Sequence, residues 1–266
     1  IMYAANDYAR VVKDACEAGI NIIVSGAGLP TNLPEFTQNF KEVALVPIIS
    51  SAKALKIICK RWLQRYDRLP DAVVLEGPLS GGHQGFTYEQ CLDPEFSLFN
   101  LIPQVKAEIK EWGDFPLIAA GGIWDKNDIE KAISLGADGV QMGTRFIGTH
   151  ECDADIGFKE VILAAEEKDI ELIKSPVGYP ARGIRTNLIN LVEKRMGPKI
   201  QCISNCVSPC QRGKGAKEVG YCIADRLFDS FSGKKETGLF FTGANGYKLK
   251  ELISVKELMH KLVHGE

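Results

Sequence analysis

The chain has 266 residues, of which 45% are hydrophobic, and its 32 basic and 34 acidic side chains give a net charge of -2. This composition is typical of a globular protein and excludes a disordered, collagen-like or coiled-coil chain. The near-neutral charge argues against a nucleic-acid partner, and no apolar run reaches the length of a membrane span. Eight cysteines are too few for a secreted disulfide scaffold, so we expect a cytoplasmic α/β protein.

Short β-branched runs alternate with helical periodicity over the first 150 residues. Two segments, Ala15–Asn21 and Ala132–Asp138, repeat one plan of helix end, glycine and strand start. Such units indicate parallel strands joined by right-handed crossovers, in a barrel or an open doubly wound sheet. Residues 1–3 are a candidate tail of a further strand. The predicted strands are 20–24, 43–49, 72–75, 115–120 and 139–142, and the predicted helices are 7–18, 52–65, 98–110 and 126–135.

The pattern changes after about residue 150. Helical periodicity predicts further helices at 157–173, 187–195, 221–231 and 255–263, and a Pro/Gly/Arg loop at 175–185. We therefore divide the chain into a barrel-like region, residues 1–150, and a mostly helical lid or appended subdomain, residues 151–266. Residues 240–245 form a candidate segment that brings the chain back toward the mouth of the barrel.

Glycine-rich loops follow four of the predicted strands. In parallel α/β folds, functional groups gather in such loops, and bare backbone N–H groups can approach a phosphate. The paired loops after two consecutive strands favour a phosphate site, although glycines also serve tight turns. There is no Walker A sequence, and the first loop lacks the third glycine of a dinucleotide fingerprint. The loops contain Ser25-Gly26-Ala27-Gly28, Glu76-Gly77 with Gly81-Gly82, Gly121-Gly122, and Gly143-Thr144.

His83 follows Gly81-Gly82 in the longest of these loops. A neutral imidazole can accept a proton near pH 7, so His83 is the candidate general base. Glu76 opens the same loop and either accepts a hydrogen bond from a cofactor or caps the loop. Arg182 and Arg185 either meet an anionic group or are solvated.

Four cysteines lie close together in the C-terminal region. Cys202, Cys206, Cys210 and Cys222 could bind an Fe–S cluster or zinc, although their spacing differs from the usual paired C-x2-C pattern. The alternative is four partly buried thiols without a metal.

These motifs resemble those of the nitronate monooxygenase (2-nitropropane dioxygenase) family, which includes flavin-dependent enoyl-ACP reductases. The Gly81-Gly82-His83 loop resembles the family's Gly-Gly-His signature. The segments 119–123 and 141–146 resemble its FMN phosphate segments, residues 25–28 a further flavin-side loop, and residues 175–185 its later Pro-Gly-Arg loop.

The resemblance implies a (β/α)8 TIM barrel with FMN at its C-terminal face and His83 over the flavin as base or proton-transfer partner. It implies an oxidoreductase that oxidises alkyl nitronates with O₂, or one that uses NAD(P)H to reduce an enoyl thioester. A non-redox phosphate-binding module is the alternative of another class. Small-molecule substrates and a homodimer are expected. The residues on the FMN side would be Ser25, Gly26, Ala27, Glu76, Gly81, Gly82, Gly121, Gly122, Gly143 and Thr144.

Ile1-Met2 resembles the end of the family's third strand, so the resemblance implies that this sequence lacks two strands and most of a third. An open barrel would expose sheet edges. We therefore expect the 266 residues alone to retain little FMN.

Overall fold

The computed structural model describes residues 1–200, 202, 206–208, 210 and 220–265. Within these ranges, none of the helices has the length and apolar character needed to cross a bilayer. The strands are β1 (Ile22–Ser25), β2 (Ala44–Ile49), β3 (Val73–Glu76), β4 (Gly82–His83), β5 (Leu117–Ala120), β6 (Gly139–Gln141), β7 (Ile170–Lys174) and β8 (Pro180–Ile184). The helices are α1 (Tyr8–Glu17), α2 (Leu33–Phe36), α3 (Ala52–Tyr66), α4 (Tyr88–Leu92), α5 (Leu98–Lys110), α6 (Lys126–Ser134), α7 (Thr144–Ile147), α8 (Ile156–Ala164), α9 (Asn187–Glu193), α10 (Ile223–Phe231) and α11 (Val255–His264).

A parallel sheet carries the first half of the chain, in the order β1-β2-β3-β5-β6. The predicted strand tail at residues 1–3 is confirmed, because Met2 bridges Gly26 in parallel and the Tyr3 N–H donates to the Gly26 carbonyl over 2.7 Å. The five predicted strands are all present, each displaced by a few residues at most. The succession of strand and helix is therefore the one that the sequence predicts.

Two glycines end helices in the way that the internal repeat predicts. After α1 and α6, the chain passes through Gly19 at φ +83° and Gly136 at φ +111°. Only glycine adopts such a backbone conformation without strain, so both positions stop the helix and turn the chain back toward the sheet.

The core lies between the parallel sheet and the helices that cover it. Leu55 on α3, Ile102 on α5 and Leu117 on β5 are fully buried in one apolar cluster. Trp62 is also fully buried, and its indole N–H donates to the Pro30 carbonyl over 3.0 Å. Full burial of each such aliphatic side chain contributes roughly 1.5–3 kcal/mol, so this packing holds the strand ends in fixed positions.

The region after residue 150 contains strands that the sequence reasoning missed. The predicted helix 157–173 is wrong in its second half, where β7 replaces it, and the predicted loop 175–185 contains β8. These strands form an antiparallel sheet with β4, in the order β4-β8-β7. Pairing across the sheet decides the outcome, because Ile170–Lys174 is matched residue by residue to Ile184–Pro180. The helices predicted at 187–195, 221–231 and 255–263 are confirmed as α9, α10 and α11.

Candidate functional site

Three glycine loops begin side by side at the carboxyl ends of the parallel strands. The register pairs Glu76 with Ala120 and Ala120 with Gln141, which places the ends of β3, β5 and β6 at one edge. The loops that follow therefore meet at this edge, as the sequence predicts for a site in a parallel α/β fold.

Gly121 and Gly122 form a tight double turn after β5. Both have positive φ, +88° and +95°, and a Cβ on Gly121 would stand 2.6 Å from the Gly77 carbonyl oxygen. Within the described part of the chain, no acceptor is hydrogen-bonded to the N–H groups of Gly121, Gly122 or Gly143. A Cβ on Gly143 would meet no atom within 4 Å, so there is open space beside this loop. Free N–H donors next to open space fit an anionic group such as a phosphate.

Residues 242–245 close over these loops, at the place that the sequence suggested. The Gly243 N–H donates to Thr144 Oγ1 over 2.9 Å, and the Asn245 side-chain amide donates to the Gly122 carbonyl over 2.7 Å. The Ala244 N–H donates to the Leu79 carbonyl over 3.0 Å. The C-terminal region thus fixes the relative positions of three glycine loops.

His83 lies in a short antiparallel strand rather than in an irregular loop. Gly82, at φ +74°, turns the chain into β4, and β4 pairs with β8 through Gly82–Arg182 and His83–Ala181. The His83 and Phe241 rings pack in a T-shaped arrangement, with ring centroids 5.4 Å apart. The imidazole is thereby held between β8 and the segment that closes the site.

The Ser175 hydroxyl orients the imidazole of His83. Its Oγ lies 2.6 Å from His83 Nε2, and it accepts the Val177 N–H over 3.3 Å. When the ring proton is on Nδ1, the hydroxyl donates its hydrogen to Nε2. Burial lowers the pKa of His83, which favours a neutral ring at neutral pH. A neutral, oriented imidazole is suited to accept a proton.

Glu76 is a second titratable group at the same edge. Burial raises its pKa to about 7, and a hydrogen bond with Ser80 offsets part of this rise. Both the protonated and the ionised forms are therefore accessible near neutral pH, so the carboxyl group can donate or accept a hydrogen bond.

In the first predicted loop, residues 25–28, the Ser25 side chain lies in the core, and the backbone is the part left for a ligand. Ser25 is fully buried, and its hydroxyl lies 2.8 Å from the Tyr8 hydroxyl in the core, so only its backbone is left for a ligand. A Cβ on Gly26 would stand 2.8 Å from the Ile48 side chain, so close packing explains why a glycine occupies this position. Ala27 has φ +59°, an unusual conformation for a residue with a Cβ. Strain of this kind persists only where the surrounding structure enforces it.

Glycines of the His83 loop also approach the closing segment. A Cβ on Gly81 would stand 2.7 Å from the backbone of Thr242. Gln84 holds this loop in shape, because its side-chain amide donates to the carbonyls of Ser80 and Gly82 over 2.9 and 3.0 Å. The loop is therefore rigid on both sides of His83.

The two arginines of the 175–185 segment have structural partners. Arg182 is buried and donates to the Pro78 carbonyl over 2.9 Å, which fastens β8 to the His83 loop. Arg185 is paired with Glu171 over 2.7 Å and with Glu193 over 2.9 Å. The Arg182 side chain is therefore not solvated. Arg185 is partly exposed, and carboxylates occupy the place where an anionic ligand was considered.

The four predicted metal ligands are not brought together. Among the residues that the structure describes, which include all four cysteines, no group of three His, Cys, Asp or Glu side chains could hold a metal ion. Different partners position the backbone at each end of this segment. Val207, beside Cys206, bridges Ala5, whereas Cys222 directly precedes α10. The metal alternative for Cys202, Cys206, Cys210 and Cys222 thus has no assembled ligand group among the described side chains.

Ser175 and Phe241 were missed as members of the site. Each is distant from His83 in the sequence, and no local periodicity connects them to it. The available signal was indirect: the Pro/Gly/Arg composition around Ser175 and the run Phe240–Asn245 are typical of segments that serve a site.

Comparisons with known proteins give one consistent family. The sequence profile described as "Nitronate monooxygenase" matches residues 1–265. A probable nitronate monooxygenase of Bacillus subtilis is 39% identical over 118 residues, which are 44% of this chain and 33% of that protein. One of Staphylococcus saprophyticus is 36% identical over 122 residues, 45% of this chain and 33% of that protein. The matched stretches thus span about a third of these curated relatives.

Solved structures share the fold over almost the whole chain. FabK from Thermotoga maritima superimposes with a TM-score of 0.75 at 25% identity, covering 99% of this chain and 73% of that one. Nitroalkane oxidase from Streptomyces ansochromogenes gives a TM-score of 0.68 at 19% identity, covering 98% of this chain and 70% of that one. At 19% identity, the likeness to nitroalkane oxidase shows a shared fold and nothing more.

Proposed function

Since the chain belongs to the nitronate monooxygenase family, we propose that it carries the FMN-binding and catalytic residues of an oxidoreductase that oxidises alkyl nitronates with O₂. The observation that carries the proposal is His83, half-buried and within 2.6 Å of the Ser175 hydroxyl, in a loop that meets the N–H groups after β5 and β6 that no described residue accepts. Residues 1–150 would hold the cofactor and residues 151–266 would close the site. A cytoplasmic enzyme acting on small molecules is part of the same proposal.

The loops fit the phosphate of FMN. Gly121, Gly122 and Gly143 offer N–H groups that no described residue accepts, and Thr144 adds the N–H of the first residue of α7. Gly26, Ala27, Glu76, Gly81 and Gly82, with the backbone of Ser25, are the residues proposed for the rest of the cofactor. Bound FMN would supply the two-electron chemistry and the reaction with O₂.

With a nitroalkane as the starting substrate, His83 would receive the α-proton, whereas a nitronate is already deprotonated and needs no base. The His83 ring is neutral because burial lowers its pKa, and Ser175 keeps Nε2 ready as an acceptor. A nitroalkane whose α-carbon takes the place of the Ser175 hydroxyl would give its proton to Nε2 and become the nitronate. A positioned base of this kind contributes typically 10²–10⁴-fold to the rate.

Flavin titration and oxygen uptake test the proposal together. FMN is added to the protein and its binding is followed by the flavin absorbance, and oxygen consumption is measured with 2-nitropropane or propionate-3-nitronate. His83→Asn should bind FMN as the parent does and lose turnover of 2-nitropropane by roughly 10²–10⁴-fold. Turnover of propionate-3-nitronate, which is already deprotonated, should fall far less. A full-length protein that purifies colourless and does not take up added FMN would instead support the non-redox binding module. The absorbance before FMN is added tests the expectation that these residues retain little flavin.

NAD(P)H-dependent reduction of an enoyl thioester is the second candidate. The solved enoyl reductase domain of MlnA from Bacillus amyloliquefaciens has the same fold, with a TM-score of 0.60 at 12% identity. The decisive comparison is NAD(P)H oxidation with an enoyl thioester against oxygen uptake with a nitronate. Turnover of the thioester alone would favour the reductase.

A further inference from the structure

Two histidines outside the candidate site face each other on α11. His260 and His264 are four residues apart and exposed, and their ring centroids are 4.5 Å apart with the ring planes inclined by 46°. Side chains at positions i and i+4 of a helix project from the same face. Helical zinc sites use a histidine pair at this spacing.

We propose that His260 and His264 form a binding site for a divalent transition-metal ion such as Ni²⁺ or Zn²⁺. Neutral imidazole nitrogen is a preferred ligand for both ions. Within the described residues no third His, Cys, Asp or Glu completes a larger cluster. Water therefore fills the remaining coordination positions, and the ion exchanges readily.

The helix is held in place before any ion arrives. Leu258 and Leu262 are buried on the opposite face of α11 and anchor it in the protein. Gly265, at φ +83°, caps the helix directly after His264, and its N–H donates to the Lys261 carbonyl. Both histidines thus sit on a formed helix, so binding needs only a choice of side-chain rotamers.

One of the lysines of α11, Lys261, has acidic partners of its own. Lys261 lies between the two histidines in sequence, and its Nζ is 3.0 Å from Glu257 and 3.8 Å from Glu251. These carboxylates offset the repulsion that Lys261 would exert on a bound cation.

Calorimetric titration with NiCl₂ tests the site in a variant whose Cys202, Cys206, Cys210 and Cys222 are all serine, because thiolates compete for the same metals. We expect one Ni²⁺ per chain. His260→Ala and His264→Gln should each weaken binding by about tenfold or more, since each removes one of two protein ligands. His150→Ala removes another exposed histidine, one that is not part of α11, and is the matched control.

Both α11 substitutions concern exposed side chains, and circular dichroism verifies that each variant is folded. Tenfold weakening in both variants, with the control unchanged, supports the site. If either variant bound Ni²⁺ as strongly as the protein that carries only the four serine substitutions, the proposal would be overturned. An absence of Ni²⁺ binding by that protein would overturn it as well.

Discussion

The buried carboxyl group of Glu76 makes a prediction about stability that does not depend on the cofactor. Burial raises its pKa from the ordinary carboxyl value of 4.5 to about 7. The folded protein thus holds this proton more tightly than the unfolded chain does. The stability that Glu76 contributes is complete below about pH 4.5 and is lost as the pH rises through about 7.

Glu76→Gln removes this ionisation and keeps the shape of the side chain. One pKa unit corresponds to about 1.4 kcal/mol. The rise of the pKa to about 7 therefore lowers the free energy of unfolding of the parent by about 3 kcal/mol between low pH, where the carboxyl group is protonated in both states, and high pH, where it is ionised in both. We expect the variant and the parent to have nearly equal free energies of unfolding at about pH 4.5. At about pH 8.5 the variant should be more stable by up to about 3 kcal/mol.

Urea unfolding of both proteins across this pH range measures the difference directly. Other titrating groups cancel, because they are common to the two proteins. Glu17→Gln changes an exposed carboxylate and is the matched control, with no comparable dependence on pH expected. If the difference in the free energy of unfolding between Glu76→Gln and the parent stays constant from about pH 4.5 to 8.5, burial does not disfavour the ionised form of Glu76. That result would refute the reasoning.

Three further predictions concern the loops and the base. Gly121→Ala should destabilise the protein by about 2 kcal/mol or more in urea unfolding, because φ is +88° and the new Cβ meets the Gly77 carbonyl oxygen. Gly113→Ala is the control and should cost far less stability, since its Cβ contacts only Phe115 at 4.0 Å. Equal losses of stability in the two variants would contradict the steric argument. Gly143→Ala has free space for its Cβ and φ -115°, so stability should change by less than about 0.5 kcal/mol; a larger loss would show that the loop is packed. In the active enzyme, kcat/KM should rise with pH through a pKa below the ordinary histidine value of 6.5, since burial lowers that of His83; the same profile in His83→Asn would remove His83 from the role.

The parallel half of the fold was predictable because its signals are local. Each strand is a short apolar run, and the helix ends carry glycines such as Gly19 and Gly136 at positive φ. The antiparallel half was not, because β7 and β8 obtain their conformation from each other. Ile170, Leu172 and Ile173 also suit a helix face, and only the pairing with Ile184–Ala181 decides for a strand.

The candidate site divides along the same line. The glycine loops and His83 follow strands directly, so their position could be read from the order of elements in the chain. The groups that orient His83 could not, since Ser175 lies 92 residues away and meets it only through the pairing of β8 with β4. Phe241, which packs against the imidazole, is bridged to Gly183 of β8. β8 therefore joins the base, its hydroxyl partner and the segment that closes over Gly122 and Thr144. A change in β8 pairing would alter the orientation of His83 and the closure of the loops together, even though every glycine loop stayed intact.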